Sequence, residues 1–290
     1  MNLLGIDFEE WYHPELIRKY HKQKSPEHLI SNGIDKILDW LRKNDTYATF
    51  FVVGELLEFK PELLDKILEG GHEIGFHTMN HTRLDEPNYR EIFSNELKQF
   101  SELTNKKSKG FRAPSFSFSK STAWAIDILA SHGYVYDSSV VPVKTRLYGI
   151  QNAKTTPYMI SSSSPERNDP SGKLMEFPLL TTNILTKKIP AGGGFYLRIL
   201  PLRIIRSAIK SMNKINNPAT FYIHSWELTP ELMPKISLPF TDNFITYYNI
   251  KKAPSKMTNL IKEFEFTSFE RYISKNKIDS NKYINSEKFQ

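Results

Sequence analysis

Short apolar runs alternate with helix-spaced segments along the first half of the chain. Residues 3–6 are apolar and break into acid at Asp7, Glu9 and Glu10. Residues 27–43 carry apolar side chains at Leu29, Ile30, Ile34, Ile37, Leu38 and Leu41, the spacing of one helix face. Residues 48–53 predict a second buried strand, closed by Gly54. Residues 61–69 predict a short helix with Pro61 near its start and Gly70-Gly71 as its stop. A third strand over 72–76 ends at His77, and a helix over 89–103 follows. A fourth strand over 109–112 ends at Arg112, a helix over 121–131 stops at Gly133, and a fifth strand over 134–137 ends at Asp137. Strand and helix in strict alternation predict a parallel sheet or barrel.

Over 142–173 this rhythm lapses into turn-forming Ser, Pro, Asn and Asp, so an irregular insertion is expected, either a lid or a mobile excursion. Order returns over 174–180, with a helix at 202–213, a last strand at 219–224 ending at His224, and a helix at 257–264. These readings give one domain over 1–273 and a polar tail over 274–290.

Composition narrows the chemistry. Hydrophobic residues make up 39% and aromatics 13%, enough to bury a core and to exclude a disordered chain. There is no cysteine, which excludes disulfides, Cys-ligated zinc and a Cys nucleophile. A metal, if used, must be held by His and carboxylates. The net charge of +7 comes mostly from dispersed lysines, with no basic-aromatic groove for nucleic acid. Such an excess can aid peripheral contact with acidic polymer or anionic lipid headgroups. Residues 1–7 lack the basic and long apolar regions of a secretion signal, so a cytoplasmic location is expected.

In a parallel α/β layout the C-terminal strand ends share one face, so Asp7, Glu9, His77, Arg112, Asp137 and His224 should converge. His77 and His81, four apart, can bind one ion and leave room for a third ligand and water. Asp7 and Glu9 are two apart in a strand and face the same side. One can complete a His-His-carboxylate set, and the other can act as general base. Glu10 should face away and cap a helix or meet solvent. His224 can protonate a leaving amine as general acid, with Asp137 as its candidate partner. Arg112 needs an acid, and either orients Asp7 or forms a structural ion pair.

The ordered set Asp7-Phe8-Glu9-Glu10-Trp11, His77-Thr78-Met79-Asn80-His81, Phe111-Arg112-Ala113-Pro114-Ser115, Tyr134–Ser139 and Phe221–Glu227 resembles the polysaccharide deacetylase family, the NodB-homology or carbohydrate esterase 4 group. It is most similar to a branch with an Asp-x-Glu first motif that is linked to exopolysaccharide loci, as are the stretches 192–197 and 243–249. The resemblance implies a distorted, incomplete (β/α) barrel. It implies metal-dependent removal of N-acetyl groups from hexosamine units of a polysaccharide or glycan precursor, with release of acetate. By motif, Asp7 matches the base, Glu9, His77 and His81 the metal ligands, Arg112 the residue that orients the base, and His224 the acid, tethered by Asp137. Glu10 stays open as an alternative ligand to Glu9. One divalent transition metal is implied, zinc first, with cobalt, nickel or iron as alternatives. Trp11, Tyr12, Phe116 and Trp226 are candidates to stack on sugar rings. Two other readings stand beside this one: an allantoinase-like hydrolase of a small ring amide, and an inactive carbohydrate-binding member.

Overall fold

The computed structural model describes residues 1–21 and 27–277. Its main sheet holds β1 (Asn2–Phe8), β2 (Thr49–Val52), β3 (Glu73–Phe76), β4 (Gly110–Phe111), β5 (Tyr136–Asp137), β6 (Tyr158–Ile160), β7 (Leu174–Glu176), β10 (Thr220–His224) and β11 (Phe266–Thr267). A separate hairpin holds β8 (Thr181–Ile184) and β9 (Lys187–Pro190). The strand order is β10-β1-β2-β3-β4-β5-β7-β6, with β11 added to β1. All pairs in that sheet are parallel except β6 on β7. Single bridges, Leu179 to Thr220 and Gly193 to Tyr222, span the side left open between β7 and β10. The result is a distorted, incomplete (β/α) barrel, as expected from the sequence.

Strand alternation sorts the side chains into two layers. Phe8, Val52, Phe76 and Phe111 lie in register and pack outward against helices such as Ile34–Lys43 and Tyr89–Leu103. The neighbouring row, Asp7, Phe51, Gly75, Gly110 and Tyr136, faces the barrel interior. Phe269, from a closing helix Phe269–Lys275, stacks on Tyr136 with centroids 5.0 Å apart and planes 1° from parallel. That helix holds Ser274 and Lys275, the first residues of the expected tail; positions 278–290 of that tail lie outside the described residues.

Three expectations change. The helix over 27–43 is two pieces, Leu29–Asn32 and Ile34–Lys43, broken at Gly33, where a Cβ would meet Leu232 at 2.4 Å. The insertion over 142–173 is not wholly irregular: Tyr158–Ile160 forms the sheet's edge strand, and Tyr158 donates a buried hydrogen bond to the Pro165 carbonyl at 2.6 Å. A third difference is content the apolar rhythm did not reveal: the hairpin β8–β9, the helices Ser225–Leu228 and Phe240–Tyr247, and β11.

Candidate active site

Asp7 ends the inward row of β1, beside His224 of β10. Arg112 follows the last residue of β4, and alternation aims it inward too. Its Nη1 donates to Asp7 Oδ1 at 2.7 Å, its Nε to the Ser138 carbonyl at 3.0 Å, and its Nη2 to Ser138 Oγ at 2.9 Å. The guanidinium lies 4.1 Å from the Phe51 ring centre and is fully buried. A buried guanidinium cannot shed its charge, so the Asp7 carboxylate and three directed hydrogen bonds are what make the position tolerable. Gly5 supplies the space: a Cβ there would lie 2.4 Å from Arg112 Nη1.

Beside Asp7, one donor atom each from Glu9, His77 and His81 lies within 4.8 Å of the others, and all three residues are buried. His77 Nδ1 sits 2.7 Å from the Arg112 carbonyl, so Nδ1 carries the proton and Nε2 offers its lone pair to the site. Burial pushes the His77 imidazole down to about 4, which keeps it neutral. His81 Nε2 lies 2.7 Å from Glu9 Oε2. Burial alone would raise the Glu9 carboxyl, but His81, His224 and His77 outweigh it and hold Glu9 well below the usual carboxylate range. Thr78 and His81 both have left-handed backbones, with φ of 60° and 53°, an arrangement that costs energy in residues with a Cβ and is found at functional loops. Two imidazoles and a carboxylate form a donor set suited to zinc or a similar transition ion. Glu9 Oε2 meets no donor in hydrogen-bonding geometry, its 2.7 Å neighbour is His81 Nε2, and the three donor atoms cluster within 4.8 Å, so the residues fit such an ion.

Glu10 is placed elsewhere. Its carboxylate accepts from the Ile30 and Ser31 backbone N–H groups at 3.0 and 2.8 Å and from Ser31 Oγ at 2.7 Å. It caps the start of the helix Leu29–Asn32, which leaves Glu9 as the carboxylate of the pair beside His77 and His81.

His224 closes β10 at the rim of the site. Its Nε2 lies 3.9 Å from Glu9 Oε1, and its ring stacks on Trp226 at 4.4 Å. Its partner is not Asp137. His224 Nδ1 is 2.8 Å from Glu227 Oε2, which also accepts from the His224 backbone N–H at 3.1 Å. Glu227 Oε1 lies in turn 2.6 Å from Arg198 Nε. Arg198 is buried and donates to the carbonyls of Ile245, Thr246 and Tyr248 at 2.7–2.9 Å, at the end of the helix Phe240–Tyr247. Burial lowers a histidine, but the Glu227 charge and hydrogen bond prevail and raise His224 above its ordinary value. Burial would raise Glu227, yet His224 and Arg198 together hold it low.

The correction for Asp137 follows from strand parity. Asp137 is in register with Phe111, in the outward row, whereas Asp7 and His224 share the inward one. There it accepts from Ser139 Oγ at 2.5 Å and neighbours Glu176, and burial raises its carboxyl to about 6. The sequence contained the signal for Glu227, an acid three residues after His224 on a strand-to-helix turn. Arg198 carried no such local signal.

Asp7, Glu9, His77, His81, Arg198 and His224 line a cavity of about 380 Å³ with aromatic walls, among them Phe116, Tyr148, Phe195, Tyr222 and Trp226. Trp226 also donates to Glu9 Oε1 at 2.9 Å. Trp11 and Tyr12 are absent from the lining and pack together in an apolar cluster behind it that includes Trp226. Thr145–Tyr148 of the expected insertion reach the cavity mouth.

Comparison with known proteins gives two adjoining family matches: polysaccharide deacetylase over residues 25–136, and a domain of unknown function (DUF3473) over 138–274. A peptidoglycan deacetylase of Helicobacter pylori is 29% identical over 112 residues, 38% of this chain and 37% of that protein. A peptidoglycan-N-acetylglucosamine deacetylase of Bacillus cereus is 48% identical over 46 residues, 16% of this chain and 22% of that one. The matched stretches therefore span well under half of those relatives. A crystal structure from Mycobacterium smegmatis, assigned to the polysaccharide deacetylases, superposes with a TM-score of 0.59 at 16% identity, over 95% of this chain and 90% of that one. An allantoinase shares the fold with a TM-score of 0.56 at 13% identity, over 98% of this chain and 92% of that one.

Proposed function

From the match of residues 25–136 to the polysaccharide deacetylase family, we propose that this chain is a metal-dependent hydrolase that removes acetyl groups from N-acetylhexosamine units of a glycan and releases acetate. The observation that carries this reading is the meeting, in one cavity, of an Arg-held carboxylate, a His-His-Glu donor set and a Glu-held imidazole.

Glu9, His77 and His81 would hold the ion. When bound, such an ion supplies Lewis-acid activation of water and of the acetamide carbonyl. Arg112 fixes the direction of the Asp7 carboxylate, which takes a proton from the attacking water. His224, held by Glu227 with Nε2 toward the cavity, delivers a proton to the departing nitrogen. The amide carbon–nitrogen bond breaks, leaving acetate and a free amino sugar. The aromatic walls suit the apolar faces of sugar rings. An exopolysaccharide or its precursor is the substrate we favour, on the branch-specific first motif.

The test pairs metal content with turnover. Wild type should hold about one transition ion per chain, as one His-His-carboxylate set implies, and release acetate from N-acetylhexosamine oligomers. His81→Ala should lose both while keeping its melting profile. Metal retained in the variant rejects the ligand assignment. Hydrolysis of small ring amides without acetate release would move the chain to the allantoinase-like reading.

A further inference from the structure

Between Glu176 and Glu227 lie fifty residues with no Asp or Glu and seven Lys or Arg. That stretch alone matches the net charge of +7 of the whole chain. It folds into the hairpin β8–β9, which packs on the helix Leu202–Lys214. One side of that helix presents Arg203, Lys210 and Lys214 along a shallow groove. Arg206 and Lys210 share Glu263, while Lys187, Lys188, Arg203 and Lys214 form no ion pair among the described residues.

The hairpin tip carries a second, independent oddity. Ile184 pairs with Lys187, so Leu185 and Thr186 form a two-residue turn. Leu185 sits there in the left-handed region, with φ of 55°, where Asn or Gly is favoured. It is 96% exposed, and Ile184 beside it is 37% exposed. The chain thus holds a strained leucine in water with no packing to offset either cost. The lysines next to it, Lys187 and Lys188, are exposed as well.

We propose that this hairpin and the adjoining helix form a docking surface for anionic phospholipid. Leu185 enters the boundary between headgroups and acyl chains, and Lys187, Lys188, Arg203 and Lys214 meet the headgroups. An apolar tip ringed by cations is the chemistry of interfacial binding. A second copy of the chain would bring like charge against like. A soluble acidic polymer would satisfy the cations but leave the leucine without a role. The proposal stands apart from the catalytic reading, since none of these residues lines the active-site cavity.

Co-sedimentation of the full chain with vesicles tests it. Binding to vesicles containing phosphatidylglycerol, and not to phosphatidylcholine alone, is expected, weakening as salt is raised. Lys187→Glu with Lys188→Glu should weaken it by at least about fivefold per lysine removed. Leu185→Glu should weaken it comparably, and turnover of a soluble substrate should be unchanged in both variants. Equal binding to both vesicle types would overturn the proposal. So would retention of wild-type affinity by Leu185→Glu, or equal capture by a soluble acidic polysaccharide indifferent to that change.

Discussion

Glu227→Gln isolates the role assigned to the His224 partner. The amide keeps the length of the side chain and can still accept from the His224 backbone N–H. It removes the charge that raises His224 and that faces Arg198 at 2.6 Å. Breaking one partner of a buried ion pair costs about 3–5 kcal/mol. The three carbonyls that accept from Arg198 remain, which places the expected loss at the lower end. A general acid contributes about 10²–10⁴ in rate, so turnover on an N-acetyl sugar should fall within that range. An activated acetate ester, whose leaving group needs no proton, should be hydrolysed with a much smaller loss. Arg198→Met added to Glu227→Gln removes the stranded charge together with the donors to those three carbonyls, so turnover should not recover. Equal losses on the amide and the ester would refute the assignment. The sign of the pH effect is also fixed. His224 is raised above its ordinary 6.5, so its share of stability is complete below 6.5 and is lost as pH climbs through the raised value. Glu227 is lowered below its ordinary 4.5, so its share is complete above 4.5 and is lost as pH falls through the lowered value. The pair therefore stabilises wild type most between those two ordinary values, and this plateau should flatten in the variant.

Further predictions concern the surrounding residues. Gly5→Ala should cost about 1–3 kcal/mol by overpacking and should also depress turnover, because the added methyl displaces Arg112 from Asp7; thermal melts and acetate release read both effects, and an unaffected rate would show that Arg112 does not orient the base. Asp7→Asn should keep its metal and lose about 10²–10⁴ in rate, and elemental analysis beside turnover separates those outcomes. Asp137→Asn should leave metal content and the amide-to-ester rate ratio unchanged, since that carboxylate lies in the outward row; a shift of the ratio toward that of Glu227→Gln would restore Asp137 as the partner of His224.

Much of the site was legible because strand ends and residue parity are properties of sequence. Asp7, His77, Arg112 and His224 each stand at or just past a strand terminus with inward parity, and they meet as the parallel layout requires. The same rule, applied to Tyr136 and Asp137, would have turned Asp137 outward, because the aromatic of that pair fills the barrel interior. Spacing on a short strand-to-helix turn marks Glu227, but only once the helix Ser225–Leu228 is seen to follow β10 without a loop. Arg198 was not legible, because its partners, Glu227 and three carbonyls, lie 29 to 50 positions away and leave no local pattern. The hairpin β8–β9 escaped for a different reason. Its exposed strands lack the alternation that a buried face imposes, and its turn uses leucine where glycine or asparagine would have signalled it.

The pairing of β1 with β10 and β11 joins segments more than two hundred residues apart in sequence. Asp7 and Glu9 are made before His224 and Glu227, which follow more than two hundred positions later. Contacts so distant in sequence form late, after a large loop has closed. A nascent chain that stops short of β10 can therefore carry the His77–His81 loop and the early helices, but it leaves β1 paired to β2 without β10 on its other side and lacks the imidazole proposed as proton donor. On the proposed mechanism, hydrolysis requires β1 and β10 to have met, so a chain cut short before β10 would be silent.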